Sequence, residues 1–387
     1  MRYMENKYVW NLLLVYSSLF VIGCSQEDMV CAGSGSQGEE NLVKATVSVH
    51  VAESTRGSIT NGFFEYDSDN EASTSPMYIG LNCYAKYKTY IENGVSKGYE
   101  LPLDDDPMGS YKNVPLKLRS DSKFTNEIPI YYLSNDEYLF SAYFPFFNGT
   151  QYGVLKHDAD GNILIDTSLK NAQKYTDGTW ETGSGEPGTI DVLFGKGAKG
   201  SSLNPEISFK DDSALRHVLS KVTLKYKFIY SSSADGETQF KESDIDAMTY
   251  DGGDAVSYPI ISGLYTQGIF DIQTGEIKPV TADGTGVINE MSESGMAKKN
   301  TAKGEVECTF LVIPQTSAIS FGWQVIAHNL GNSVPILNFK TPPVDLTLES
   351  GKAYTFVVEV YPHNTKLVTG NEIADWGQGS SVSLITQ

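Results

Sequence analysis

Leu42 to Gly57 reads LVKATVSVHVAESTRG, and how this stretch folds decides the architecture of the rest. Val43, Ala45, Val47, Val49 and Val51 alternate with Lys44, Thr46, Ser48 and His50, a period of two that puts the apolar side chains on one face of a half-buried β-strand. The polar run Glu53-Ser54-Thr55-Arg56-Gly57 follows. It holds the only arginine between Arg2 and Arg119, in the kind of exposed loop where proteases cut. A cut between Arg56 and Gly57 would sever the strand from the chain it packs against.

Everything before this strand reads as delivery apparatus. Arg2 and Lys7 precede the apolar run Val9 to Gly23, VWNLLLVYSSLFVIG, which is shorter than the roughly 20 apolar residues a spanning helix needs and fits a signal peptide. The run ends Val21-Ile22-Gly23-Cys24, which resembles the bacterial lipobox, so Cys24 is the expected lipidation site and residues 1–23 the removed leader. Acyl chains such as palmitate, at about 0.8 kcal/mol per buried methylene, would anchor the mature protein without a spanning helix. Glu27 and Asp28 resemble the acidic flag that sends lipoproteins to the outer face of the outer membrane in Bacteroidetes. Residues 24–41 are rich in Gly, Ser and acid without periodicity, the composition of a flexible tether.

Downstream, short alternating runs separated by turn residues predict an all-β chain with no long helix. Strands are expected at Met77 to Tyr90, Val114 to Arg119, Ile128 to Leu133, Glu137 to Phe147, Thr189 to Gly195 and Glu206 to Lys210. Further ones are expected at Ala255 to Ile261, Gly268 to Ile272, Glu305 to Ile313, Ser320 to His328, Val334 to Phe339 and Ala353 to Tyr361. Tyr152 to Asp166 reads as a hairpin turning at Asp160-Gly161-Asn162. In LRHVLSKV, Leu215, Val218, Leu219 and Val222 have helical spacing, while Val222, Leu224, Tyr226, Phe228 and Tyr230 alternate; one helical turn feeding a long strand is the expectation. With 387 residues, two cores are expected, one sandwich over 42–210 and one over 211–387.

A formal charge of −19 opposes phosphate backbones, so nucleic acid is not an expected partner. Cys83 and Cys308 each fall on the apolar face of an expected strand and read as buried, unpaired thiols rather than a bridge between the halves, while Cys31 sits in the tether. His50, His157, His217, His328 and His363 show no metal-ligand spacing, and no metal or cofactor is expected. Asp158, Asp160, Asn162 and Asp166 lack the Gly at the sixth position that an EF-hand loop requires and read as a solvated turn. Gly195 to Gly200, GKGAKG, fits GxGxxG after a strand, but Ser201 to Pro205 cannot open the helix that would hold a pyrophosphate, so the run reads as a flexible interdomain or hairpin loop. No nucleophile elbow is present, which points away from an enzyme. Trp180 in the loop YTDGTWETGSGEPG is a candidate ligand contact, since an indole stacks on sugar rings; an aromatic folded back on its own sandwich is the structural alternative.

Several motifs in this order resemble the fimbrillin family of Bacteroidetes, the Mfa-like and FimA-like subunits. They are the lipobox ending at Cys24, Thr55-Arg56 after a first strand, Ala142-Tyr143-Phe144-Pro145, DVLFG from Asp191 to Gly195 and LRHVLSKVTL from Leu215 to Leu224. Ile313-Pro314-Gln315, GKAYTFVVEV from Gly351 to Val360 and Ile373-Ala374-Asp375-Trp376 complete the set. The resemblance implies two transthyretin-like β-sandwiches, an outer-membrane lipoprotein precursor, and an arginine-specific protease as a maturation partner. It further implies that removal of the first strand leaves a groove which a strand from another fimbrial subunit fills. The tail Ser380 to Gln387, SSVSLITQ, is a candidate donor, with Val382 and Leu384 facing the groove. The alternative is a monomeric surface lipoprotein that binds glycan or host protein through loops such as the one holding Trp180.

Overall fold

The computed structural model describes residues 42–51, 59–60, 63–64, 78–119, 123–125, 129–144, 146, 155–157, 163–166, 174–176, 179–181, 192–231, 239–241, 255–282, 285–286, 288–292, 297–300, 304–329, 332–362, 365–368, 371–375 and 381–384. Residues 1–41 with Cys24 and Cys31, Arg56, Gly57 and the expected turn at Asp160-Gly161-Asn162 lie outside them. Among the described residues the chain is all-β, and its only helical pieces are 3₁₀ turns at Pro107–Ser110 and Asp211–Ser213.

The largest sheet orders its strands Glu206–Phe209, Thr46–Val49, Phe124–Thr125, Val114–Leu118, Tyr78–Glu92, Glu137–Phe144, Leu193–Gly200 and Arg216–His217, with Val95–Leu101 paired on the outer part of Tyr78–Glu92. Its inner residues build the first buried cluster, which includes Val47, Val49, Ile79, Leu81, Leu116, Phe124, Phe140, Leu193 and Phe209. A second cluster is packed by Ser220–Phe228, which runs parallel to Lys352–Val360 and antiparallel to Glu305–Val312. There the alternation is clean: Val222, Leu224, Tyr226 and Phe228 are buried, and Trp323 lies 5.0 Å from the Tyr226 ring and 5.3 Å from that of Phe228.

The third cluster draws on both halves of the chain. Ile163–Asp166, second strand of the expected hairpin with Leu155–His157, pairs with Gln267–Phe270, placing Ile163 opposite Phe270. Tyr143, Val192, Val218, Leu219, Leu311 and Ile313 close around them. Two buried polar groups secure the same seam, since Asn82 Nδ2 donates to the Ile272 carbonyl at 3.1 Å and Ser141 Oγ to the same oxygen at 3.5 Å. Satisfied in this way, they avoid the cost of about 1–3 kcal/mol that a buried unpaired polar group carries.

Two expectations are corrected. Gly195 to Gly200 is not a loop but part of the strand Leu193–Gly200, inside the large sheet against Glu137–Phe144. Phe140 pairs with Ala198 and Ser141 with Lys196, so Gly197 is the extra residue of a β-bulge, with a φ of 95° that favours glycine. A side chain at Gly200 would overlap the Tyr132 hydroxyl and Ile207, and one at Gly195 the Ser213 carbonyl, so these glycines permit close packing rather than flexibility. Nor does Leu215 to Val222 make a helical turn: Arg216–His217 and Ser220–Phe228 are strands, and the 3₁₀ turn lies upstream at Asp211–Ser213. The apolar residues of this segment are shared among three cores, Leu215 in the first, Val218 and Leu219 in the third and Val222 in the second. That sharing produces helical spacing without a helix.

Candidate functional site: the first strand and its seat

The segment from Val43 to Val51 is threaded through the first half by contacts from four directions. Val43 and Lys44 pair with Tyr132 and Tyr131, and the Ala45 amide donates to the Ile130 carbonyl at 2.8 Å. The Thr46 amide then donates to the Pro205 carbonyl at 3.1 Å, and Thr46–Val49 enters the large sheet parallel to Glu206–Phe209, with Val47 opposite Phe124 on its other side. Beyond it the His50 amide donates to the Phe209 carbonyl, the Leu215 amide donates to the His50 carbonyl, both at 2.9 Å, and Val51 makes a parallel bridge to Leu215. The alternation expected from sequence is realised, with Val47, Val49 and Val51 each 3 % exposed and Ala45 8 %, all within the first core; Val43 packs against that core half-buried. On the other face Ser48 Oγ donates to Glu206 Oε1 and shares a hydrogen bond with the Ser208 hydroxyl, each at 3.1 Å.

This seat has two consequences. Thr46–Val49 is an interior strand, so taking it out would leave both Glu206–Phe209 and Phe124–Thr125 with unpaired backbone groups facing an apolar slot. Glu206–Phe209 has no other partner among the sheets described, so it depends on the first segment for its ladder.

The tail is held differently. Ser381–Leu384 pairs antiparallel with Asn371–Asp375, Val382 opposite Ile373 and Leu384 opposite Asn371, and it is the last strand of its sheet. A strand bound along one edge is released at the cost of one ladder rather than two. Trp180 lies in a small hairpin, Lys174–Thr176 against Thr179–Glu181, opposite Tyr175; its side chain is outside the described residues, as are Cys24, Arg56 and Gly57.

Beyond Phe124–Thr125 and Val114–Leu118 in the same sheet, on Tyr78–Glu92, Lys86 bridges Asp106 and Asp136, and Lys88 also binds Asp136. Burial alone would raise the Asp106 carboxyl, but hydrogen bonds from Lys86 and from the Met108 amide, the latter at 2.9 Å, outweigh it and hold Asp106 below the usual carboxylate range. Asp136 is lowered chiefly by its hydrogen bond from Lys88, and Lys86 is raised chiefly by its bond to Asp106. The cluster is saturated with its own countercharges. No group of three or more His, Cys, Asp or Glu residues with metal-binding geometry occurs among the described residues. Cys83 and Cys308 are buried free thiols, and burial pushes both up, which keeps them as inert apolar side chains.

The fimbrillin-like family model matches residues 82–376. The chain belongs to the fimbrillin-like family. The match begins after the first strand, while the strands that flank that strand in this fimbrillin-like chain, Phe124–Thr125 and Glu206–Phe209, lie within the matched residues. A solved structure described as a "putative cell adhesion protein from Bacteroides ovatus ATCC 8483" is similar to it at 18 % identity and a TM-score of 0.49, covering 86 % of this chain and 98 % of that one. None of the curated proteins matches the fimbrillin-like chain. Within the described residues no helix is long and apolar enough to cross a membrane.

Proposed function

We propose that this fimbrillin-like chain is a cell-surface fimbrial subunit or adhesin whose first strand is a built-in plug, removed by proteolysis after Arg56 and replaced by a strand from another subunit. The observation that carries the reading is the seat of Val43 to Val51, an interior sheet position filled by a segment that directly precedes Arg56 in the chain. A segment of this kind can leave through one peptide cleavage, and the slot it vacates offers two strand edges and an apolar floor, the requirements for strand addition. Family membership supports the same reading. In this account Cys24 carries the lipid, the protein reaches the outer membrane and cell surface, and Val382 and Leu384 are donor residues of the singly held tail. On the same account the chain divides into transthyretin-like sandwiches over 42–210 and 211–387; the separate first and second core clusters support two sandwiches, with Leu215 and Arg216–His217 still serving the first.

Treatment of the purified chain with an arginine-specific protease tests this. The expected result is a cut between Arg56 and Gly57 followed by concentration-dependent polymers, absent in Arg56→Ala. A cut chain that stays monomeric and binds glycan through the Trp180 hairpin would instead support the monomeric lipoprotein. N-terminal sequencing of protein recovered from cells separates a retained precursor, starting at modified Cys24, from a matured form starting at Gly57.

A further inference from the structure

Tyr78–Glu92 is longer than the sheet that contains it. Its pairing with Glu137–Phe144 ends at Tyr87, and from there it continues with Val95–Leu101 as a two-stranded ribbon turned by Asn93 and Gly94, whose φ values of 52° and 78° suit a tight two-residue hairpin. Every residue of Val95–Leu101 is exposed, and among the described strands it pairs only with Tyr78–Glu92. The exposed large apolar side chains of the described residues concentrate here. Tyr90, Ile91 at 79 %, Val95 at 60 %, Tyr99 and Leu101 lie on the ribbon, against Leu42, Leu133 and Leu203 elsewhere.

The edge is also chemically prepared. A two-residue loop closes on the hydrogen-bonded pair Glu92 and Val95, so pairing alternates from there and Ser96, Gly98 and Glu100 direct their N–H and C=O groups outward. Gly98 lies under the Tyr87 ring, and Tyr90 meets Tyr99 edge-on at 5.8 Å, which stiffens the ribbon without covering the edge. From Lys88 to Leu101 two lysines balance two glutamates, on a chain of net charge −19. The ribbon is therefore a neutral, apolar edge on a strongly acidic protein, a place where two copies meet without stacking acid on acid.

We propose that the Val95–Leu101 edge pairs antiparallel with the same edge of a second copy of this chain, about a two-fold axis at Gly98. The outward groups then match, with Gly98 opposite Gly98 and Ser96 opposite Glu100 of the other copy. On the more apolar face Val95 falls opposite Leu101, and Lys97, ion-paired to Glu92 of its own ribbon, falls opposite Tyr99 with Tyr90 on its other side. A shift of two residues one way sets Lys97 against Lys97; a shift the other way sets Tyr99 against Tyr99 and carries Val95 past the end of the strand to face Leu103, which packs against the first core. The contact is self-complementary in one register. It uses none of the residues of the first strand or of the tail.

The test uses the purified full chain carrying Arg56→Ala, which prevents strand exchange, and Cys24→Ser with Cys31→Ser, which leaves only the buried thiols of Cys83 and Cys308. Sedimentation equilibrium should show a weak dimer, since an edge contact of this length belongs below about 1,200 Å² of buried surface. Ser96→Pro removes an outward N–H without breaking the ribbon's own ladder and should weaken dimerisation at least tenfold. In mild oxidant, Val95→Cys mixed with Leu101→Cys should cross-link, and neither variant alone should. A chain monomeric at every concentration, a dimer indifferent to Ser96→Pro, cross-linking of the single variants as readily as the mixture, or association only with a different subunit would each overturn the proposal. A dimer that persists with Arg56→Ala while the cut wild-type chain fails to polymerise would separate this inference from the strand-exchange reading.

Discussion

Val47→Ala is the perturbation that weighs the first strand most directly. Val47 is 3 % exposed, sits opposite Phe124 and lies in the first core. The substitution removes two methyl groups at about 0.8 kcal/mol each and leaves a small cavity, for a loss of about 2 kcal/mol. Ser48→Ala, one residue on and facing the other way, gives up hydrogen bonds to Ser208 and Glu206 at a half-exposed site and should cost about 0.5–1 kcal/mol. Tryptophan fluorescence does not isolate the first core, because the chain has four tryptophans and the buried Trp323 is in the second cluster. The appropriate assay is amide hydrogen exchange in Glu206–Phe209 and Phe124–Thr125, the strands flanking the seat. In the regime where exchange follows the opening equilibrium, about 2 kcal/mol corresponds to about 30-fold faster exchange there, with the Ser220–Phe228 amides little changed. A change below about threefold for Val47→Ala, or an effect of Ser48→Ala as large as that of Val47→Ala, would refute the claim that the apolar face of this strand holds the first half together.

Gly197→Ala places a side chain where φ is 95° and Gly200→Ala places one against Tyr132 and Ile207, so both should lower the urea midpoint, each by the equivalent of about 1–3 kcal/mol. An unchanged midpoint would mean that the run tolerates side chains as a loop would. Asp106 and Asp136 have lowered folded-state pKa values, so the stability they contribute is present above the unfolded carboxylate value of about 4 and is lost as pH falls through the folded values. Melting temperature should accordingly fall more steeply below about pH 4 in the wild type than in Asp106→Asn, and equal slopes would contradict the assignment. Cys83 and Cys308 should react with a thiol reagent only after unfolding; rapid labelling of the native chain would contradict their burial. Deleting Ser380 to Gln387 should leave the uncut chain folded and abolish polymer formation after cleavage, and polymers of normal length would remove the tail as donor.

Where one face of a strand meets a core and the other meets water, the residues announce it, which is why Val43 to Val51 and Val222 to Phe228 were legible as strands. Gly195 to Gly200 was not, because glycine carries no periodicity; its role is set by Tyr132, Ile207 and Ser213, which come from elsewhere in the chain. Leu215 to Val222 misled for a different reason, its apolar residues being divided among three cores. The third cluster depends on Ile163 meeting Phe270 across more than a hundred residues, and no local pattern encodes that pairing. Of the candidate site, sequence supplied the strand and its buried face. It did not reveal that the strand is interior, or that it runs parallel to Glu206–Phe209, since both facts rest on long-range pairing. The ribbon was missed because Val95 to Leu101 is exposed on both faces and shows no buried stripe.

The most direct measurement is made on chain cut after Arg56 and mixed with an excess of a synthetic peptide spanning Ser380 to Gln387, with the fate of the amino-terminal fragment followed by mass spectrometry of the folded complex. If the segment is a plug, the fragment leaves as the peptide takes its position, and the amides of Glu206–Phe209 stay protected throughout. If the fragment remains bound against any excess of peptide, or departs and leaves those amides exchanging freely with peptide present, the slot is not one that a partner's strand refills.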